Sequence, residues 1–209
     1  MVQSLSVKDI TLSDLRTKFD LHLVEDEEFF SEWRVNLPEL TDGERQRLDR
    51  VKAAYNNLLE YPPILENTVK MVVLSPLLDM ADFYLPPFRI KSEDSVELSA
   101  EDEGVIYRGR IDVLVFKEKL WLMVIESKQA AFSLEAGEAQ LLAYMLASPN
   151  PEKPTFGMIS NGGSFRFFKL VKTQINQYAL SKLFNTRNPG NELYNVLRIL
   201  KNLGQLLNQ

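Results

Sequence analysis

Two carboxylates stand among residues otherwise suited to burial. Asp112 lies within Ile111-Asp112-Val113-Leu114-Val115-Phe116, and Glu126 directly follows Leu120-Trp121-Leu122-Met123-Val124-Ile125. A bare carboxylate in an apolar strand is costly unless it has a metal, a proton or a polar partner. Lys128 lies two residues beyond Glu126 and so shares its strand face. If Lys117-Glu118-Lys119 forms a three-residue turn, Phe116 pairs with Leu120 and even-numbered residues oppose even-numbered ones. Asp112, Glu126 and Lys128 then gather on one face of the hairpin. A turn one residue longer or shorter would part them, because strand side chains alternate with a period of two. Two carboxylates meeting at a sheet edge suit Mg²⁺, which takes one or two carboxylates and completes its shell with water and phosphate. Such an ion polarises a phosphodiester and lowers the pKa of a bound water. A neighbouring lysine orients that water or offsets charge on the phosphoryl group. The tripeptide alone says little, since with 18 Glu and 13 Lys in 209 residues about one Glu-x-Lys arises by chance. Weight comes from context: a buried strand pair, an upstream Asp and a helix immediately after.

Other residues are candidates for the same neighbourhood. Glu66 opens a helix that is apolar almost all round, where it either serves the site or simply favours the helix dipole. Gln140 and Tyr144 lie at i, i+4 and share one helix face, either pointing at the site or forming a half-buried polar pair. Arg108 and Arg110 precede Asp112 on its strand and either contact phosphates or neutralise Glu126 across the hairpin. Lys153 and Arg166, with Lys169 and Lys172, are candidate contacts to a nucleic-acid backbone, or else solvated surface. His22 is the single histidine and is assigned no role. One histidine leaves no basis for a His-based zinc site or a Ser-His-Asp triad. The absence of cysteine excludes disulfides and thiolate metal sites, and fits a reducing, cytoplasmic setting.

The elements that must position these groups follow from pattern. Thr41 with Glu44 forms a capping box, and Leu48, Val51, Tyr55 and Leu58 recur at helical spacing until Pro62-Pro63. A second helix runs from Ile64 to about Leu74, with Ser75-Pro76 kinking or interrupting it and Leu77 to Phe83 continuing it. Strands are expected at Phe88–Leu98, Val105–Phe116, Leu120–Ser127, Thr155–Ser160 and Ser164–Val171, the last two joined through Asn161-Gly162-Gly163. The two runs apolar on both faces belong in the middle of a covered sheet. A helix from about Ser133 to Ala147 and a final amphipathic helix through Leu193, Val196, Leu197, Leu200 and Leu203 complete the set. This order predicts an α/β or α+β core: a central mixed sheet with an antiparallel hairpin carrying the site, flanked by helices on both faces. Residues 1–40 read as an extension packed on that core and 41–209 as the core domain. Phe29, Phe30 and Trp33 are expected to be the extension's core contact.

Charge is unevenly divided. Residues 1–104 carry 11 Lys and Arg against 22 Asp and Glu, whereas residues 105–209 carry 13 against 7. A basic second half points to an anionic ligand, although unequal solvated faces would give the same balance. The start of the chain lacks the basic and apolar stretches of a signal peptide, and no apolar run is long enough for a membrane span, so a soluble protein is expected.

Ile111-Asp112 followed by Glu126-Ser127-Lys128 resembles the Asp…Glu-x-Lys signature of the PD-(D/E)XK nuclease superfamily. Glu66 stands where that superfamily carries an upstream acidic residue, and Gln140 and Tyr144 resemble the Gln-x-x-x-Tyr pattern of its RecB-like branch. Gly157 to Gly162, with Phe165 and Phe167, is similar to the closing hairpin of the N-terminal nuclease domain of type I restriction R subunits. The resemblance spans roughly residues 62–172, with Ile111 in place of the nominal proline. It implies a restriction-endonuclease-like fold and Mg²⁺-dependent hydrolysis of DNA, with Mn²⁺ able to substitute. It also implies that Asp112, Glu126 and the Ser127 carbonyl hold the metal, and that Lys128 assists the attacking water. Glu66 would position water or a second ion, and Gln140 and Tyr144 would organise the site and the strand. These residues contain no G-x-x-x-x-G-K-[ST] phosphate loop, so an ATP-driven motor or restriction-modification subunit would act in trans. A homodimer is compatible with double-strand cutting. A DNA-binding accessory module without turnover, or an assembly subunit docking through its acidic half, is the rival reading.

Overall fold

A computed structural model describes residues 3–100, 104–118, 120–131 and 133–206. Among them are nine strands in one mixed sheet and five helices. The strands are β1 (Gln3–Ser6), β2 (Leu21–Leu23), β3 (Arg89–Ala100), β4 (Val105–Lys117), β5 (Leu120–Ser127), β6 (Thr155–Ser160), β7 (Ser164–Val171), β8 (Asn176–Leu180) and β9 (Phe184–Asn185). The helices are α1 (Leu12–Phe19), α2 (Asp42–Leu59), α3, α4 (Glu135–Leu146) and α5 (Leu193–Leu206). The third, α3, begins as Glu66–Val69, widens into a π turn over Lys70–Leu74 and resumes as Ser75–Met80. Pro76 lacks the N–H that the carbonyl four residues earlier would need, and the wider turn absorbs that loss. The expected kink is therefore a π turn within a continuous helix.

The sheet runs β1-β4-β5-β6-β7-β8-β2, with β3 on the other edge of β4 and β9 on β7. The pairs β1–β4, β5–β6 and β2–β8 are parallel, and the rest are antiparallel. One face buries Val113, Val115, Ile125 and Met158 under Leu48 and Val51 of α2, Val73 and Leu77 of α3, and Val196 and Leu200 of α5. The other buries Leu114, Val124 and Ile159 under Leu15 of α1 and Leu141 and Met145 of α4. These are the helices on both faces that the doubly apolar strands required. The capping box of α2 forms as expected, with Thr41 and Glu44 exchanging bonds. The first forty residues supply β1, α1 and β2, and so take part in the sheet as well as packing on it. Phe30 is buried and stacks on Phe156 with ring centroids 6.0 Å apart, and Trp33 meets Phe184 edge-on.

The β4–β5 register differs from the sequence expectation at the turn but returns to even-with-even pairing at Leu114–Val124. Asp112 nonetheless turns toward α3 while Glu126 and Lys128 turn toward α4, so the three do not share one face as expected. Lys117 pairs with Leu120, so the loop is two residues rather than three: Glu118, at φ 55, and Lys119, which lies outside the described residues. Alone, that shorter loop would set odd residues against even. A bulge corrects it, because Phe116 faces Trp121 while Val115 faces Met123, leaving one extra residue in β5. From Leu114–Val124 onward the pairing is even with even, and continuing it sets Asp112 opposite Glu126.

A second irregularity sits at Asp112 itself. Along β4, Tyr107 and Ile111 face α4, whereas Val113 and Val115 face α2 and α3. Alternation thus inverts at Asp112, between the pairs Ser92–Val113 and Asp94–Ile111 with β3. Glu93, the β3 residue at that point, holds φ 55, a left-handed conformation uncommon for a non-glycine residue.

Candidate active site

The site is a fork in the sheet. β5 follows β4 only as far as the Val113–Ile125 pair, and β1 takes up the same edge only at Arg108. Between them, among the described residues, the edge of β4 at residues 109–112 has no strand beside it, and side chains take up backbone N–H groups on both strands there. The hydroxyl of Tyr144, reaching in from α4, accepts the Arg110 N–H at 3.1 Å. Asp112 Oδ2 accepts the Ser127 N–H of β5 at 2.7 Å, standing in for a ladder carbonyl where the strands separate.

Two arms of side chains converge here from opposite faces. From α3, Lys70 Nζ lies 2.7 Å from Glu66 Oε1 and 2.9 Å from Asp112 Oδ1. From α4, Gln140 Oε1 accepts from Lys128 Nζ at 2.8 Å, and the Gln140 amide donates to Tyr144 Oη at 3.0 Å. Lys128 Nζ also donates to Glu126 Oε1 at 2.7 Å. Two glycines make this possible. A Cβ on Gly109 would come within 2.7 Å of the Tyr144 ring and hydroxyl, and one on Gly137 within 2.6 Å of Lys128 Cε.

The chain matches the family described as type I restriction enzyme R protein N terminus, over residues 31–176. The chain belongs to that family. The match contains both arms of the fork and leaves out β1, α1, β2, β9, α5 and all of β8 but Asn176. No curated protein matches the chain closely enough to count as a relative. The mixed sheet between helical layers is consistent with the restriction-endonuclease-like fold expected of this nuclease-like R-protein domain.

Burial dominates the electrostatics of this R-protein domain's fork. Glu126 is 3% exposed, and desolvation, with the Asp112 charge adding to it, pushes its carboxyl up to about 7 against the pull of Lys128. Its Oε2 is buried without a hydrogen-bond partner, and so is the Ser127 hydroxyl. Burial also raises Asp112, although the Lys70 ammonium and the Ser127 N–H work against it. Burial pulls Lys70 down, but its bonds to Glu66 and Asp112 more than offset this and leave it raised. Burial lifts the Tyr144 phenol to about 12, so it stays neutral and can act as both donor and acceptor.

The six candidate site residues come together, and Lys70 joins them unforeseen. Its signal was available: it lies one helical turn after Glu66, where an acidic residue would find a cation. Gly109 and Gly137 were equally unmarked, since only tertiary contact reveals what a Cβ would strike. The four basic candidates for DNA fare differently. Arg108 and Arg110 pair with Glu97 and Glu93 of β3, not with Glu126, and their side chains stay 57% and 64% exposed. Arg166 is tied to Glu138 of α4 at 3.0 Å, while Lys153 stands exposed in the loop before β6. Lys169 holds Glu32 and the Phe29 carbonyl, and Lys172 caps the end of α4 through the Leu146 and Ser148 carbonyls. These two lysines are structural. His22 pairs with Asp20 on the surface.

Tyr144→Phe tests the brace. It strands the part-buried Arg110 N–H and one Gln140 donor, so unfolding free energy should drop by about 1–3 kcal/mol in urea denaturation. An unchanged midpoint would mean that the hydroxyl carries no structural weight at the fork.

Proposed function

We propose that this chain is a metal-dependent endonuclease domain hydrolysing DNA phosphodiester bonds, with Mg²⁺ held by Asp112 and Glu126 and Mn²⁺ able to replace it. The observation that carries this reading is the buried, unpartnered Oε2 of Glu126 set beside Asp112 at an open fork in the sheet. Among the described residues no three His, Cys, Asp or Glu gather as a metal-holding group, because Glu66 is turned onto Lys70. Two carboxylates are nonetheless enough for Mg²⁺, whose other positions go to water and phosphate.

When bound, the ion supplies Lewis-acid polarisation of the phosphodiester and a more acidic water. The remaining work falls to side chains. Asp112 has an oxygen on Lys70 and an oxygen on Ser127 N–H, which fix its plane while leaving lone pairs for a further partner. The Ser127 carbonyl, between Glu126 and Lys128 in sequence, is the neutral oxygen nearest in the chain to both carboxylate and lysine. Lys128 spends two of its three N–H donors on Glu126 and Gln140. The third is available to a water or a phosphoryl oxygen, where it would offset developing charge. Gln140 and Tyr144 position Lys128 and the β4 edge; Glu66 positions Lys70.

Membership of the R-protein family supports DNA as the substrate and assembly with other restriction subunits. Of the four basic candidates, Lys153 and the ion-paired Arg108 and Arg110 are the exposed ones, able to approach its backbone. Duplex cleavage by two copies would explain a homodimer.

The test is cleavage of supercoiled plasmid and circular single strands with Mg²⁺ or Mn²⁺, wild type beside Asp112→Asn. Wild type should cut and the variant should lose about 10³-fold or more in rate. Equal cleavage by both would remove Asp112 from the mechanism. Salt-dependent DNA binding with no cleavage would leave a binding module that keeps the nuclease fold.

A further inference from the structure

We infer that Lys70 is a built-in cation filling the position a second metal ion would take, so that the fork accepts one divalent ion rather than two. This rests on the metal-dependent reading above. In two-metal phosphodiester sites the ions lie about 3.5–4 Å apart and together clamp the reacting phosphate. Asp112 is placed to join two cations here: Oδ1 meets Lys70 at 2.9 Å, while Oδ2 accepts the Ser127 N–H, next to Glu126 in β5, at 2.7 Å. Glu66, which would complete a second oxygen-lined position, instead gives Oε1 to the same ammonium at 2.7 Å.

Lys70 is held there from two elements. Its partners lie on α3 and on β4, 42 residues away in the case of Asp112, so the contact is tertiary and not only an i,i+4 surface pair. The ammonium is only 21% exposed and Asp112 only 15%, which weakens solvent screening between them. The π turn begins at this residue, its carbonyl accepting the Ser75 N–H, and such turns occur often at functional sites. With Lys70 in place, Glu126 Oε2 is the carboxylate oxygen at the fork that is buried and unpartnered, on the arm that Lys128 and Gln140 of α4 hold. One fixed cation and one open position describe the arrangement.

Calorimetry of the full chain with Mn²⁺ alone, paired with counting of bound Mn²⁺ by electron paramagnetic resonance, tests this. Wild type and Lys70→Arg should each bind one ion, and Lys70→Met should bind two. Two ions on wild type, or one on Lys70→Met, would overturn the inference. Glu66→Gln gives an arm that does not depend on how Lys70→Met folds. If Glu66 serves the lysine, Mn²⁺ affinity should stay within about threefold, whereas a loss of about tenfold or more would make Glu66 a metal ligand and overturn the inference. Wild type binding no ion at all would strike the metal-dependent reading itself, and this inference with it.

Discussion

Glu126→Gln is expected to abolish metal-dependent cleavage and, at the same time, to stabilise the metal-free protein above neutral pH. The carboxylate is the most deeply buried acidic group at the fork, with one oxygen unpartnered. Its folded pKa of about 7 lies above the ordinary 4.5, so the folded state holds a proton that the unfolded state has released between those values. Stability from this group is therefore complete below about 4.5, falls as pH rises to about 7, and stays low beyond it. At 1.36 kcal/mol for each pKa unit, the fall is of the order of 3 kcal/mol. Glutamine has the same shape, keeps an oxygen for Lys128 and carries no charge to desolvate. Urea titrations from pH 4 to 8 should show a declining midpoint for wild type and a flatter one for the variant. A variant less stable than wild type at pH 8 would mean that the charge is not the liability its burial suggests. Cleavage should fall by about 10³-fold or more, since the glutamine amide cannot replace an anionic oxygen on a hard cation.

Lys128→Met should do the reverse to stability while also ending activity. It removes the cation at 2.7 Å from Glu126 Oε1 and strands Gln140 Oε1. Breaking one half of a buried pair costs about 3–5 kcal/mol when the other charge stays. Glu126 can escape part of that cost by taking up a proton, and without the pull of Lys128 its carboxyl rises further, so the loss should be largest at alkaline pH and shrink as pH falls toward about 7. The double variant Glu126→Gln with Lys128→Met should recover most of the stability, because neither charge is then left alone. A double variant no more stable than Lys128→Met would show that packing of the lysine stem past Gly137, and not charge, sets the cost. Activity measured at fixed Mn²⁺ should fall in the single variant even where metal binding persists, separating Lys128 from the metal ligands.

These opposed outcomes follow from a pair that the sequence displayed openly. Charges inside Ile111–Phe116 and after Leu120–Ile125 conflict with their surroundings, and such conflicts mark sites that need a partner. Helices α2 and α5 were legible because their apolar spacing, with the capping box of α2, is a local signal. The short strands β1, β2, β8 and β9 were not, since two to five residues give no period to read and their pairing is decided by strands far along the chain. The spacing of the site was reached through a register that is correct only in part. A three-residue turn was expected, while a two-residue loop followed by a bulge gives the same even-with-even pairing at Leu114–Val124. Loop length and bulge compensate, and only the first can be guessed from turn residues.

By itself, then, the sequence determined which groups are chemically out of place, Asp112 and Glu126, and which helices would cover them. Beyond Lys128 on Glu126, tertiary structure decided which charges pair. It put Lys70 between Glu66 and Asp112, gave Arg108 and Arg110 to the acidic residues of β3, and opened the β4 edge that Tyr144 fills. The physical reason is reach. Burial cost is a property of a residue and its near neighbours in the chain, and so is written locally. An ion pair depends on where two long side chains end, which a bulge, an inverted alternation at Asp112 and a missing Cβ at Gly109 settle only once the sheet has closed.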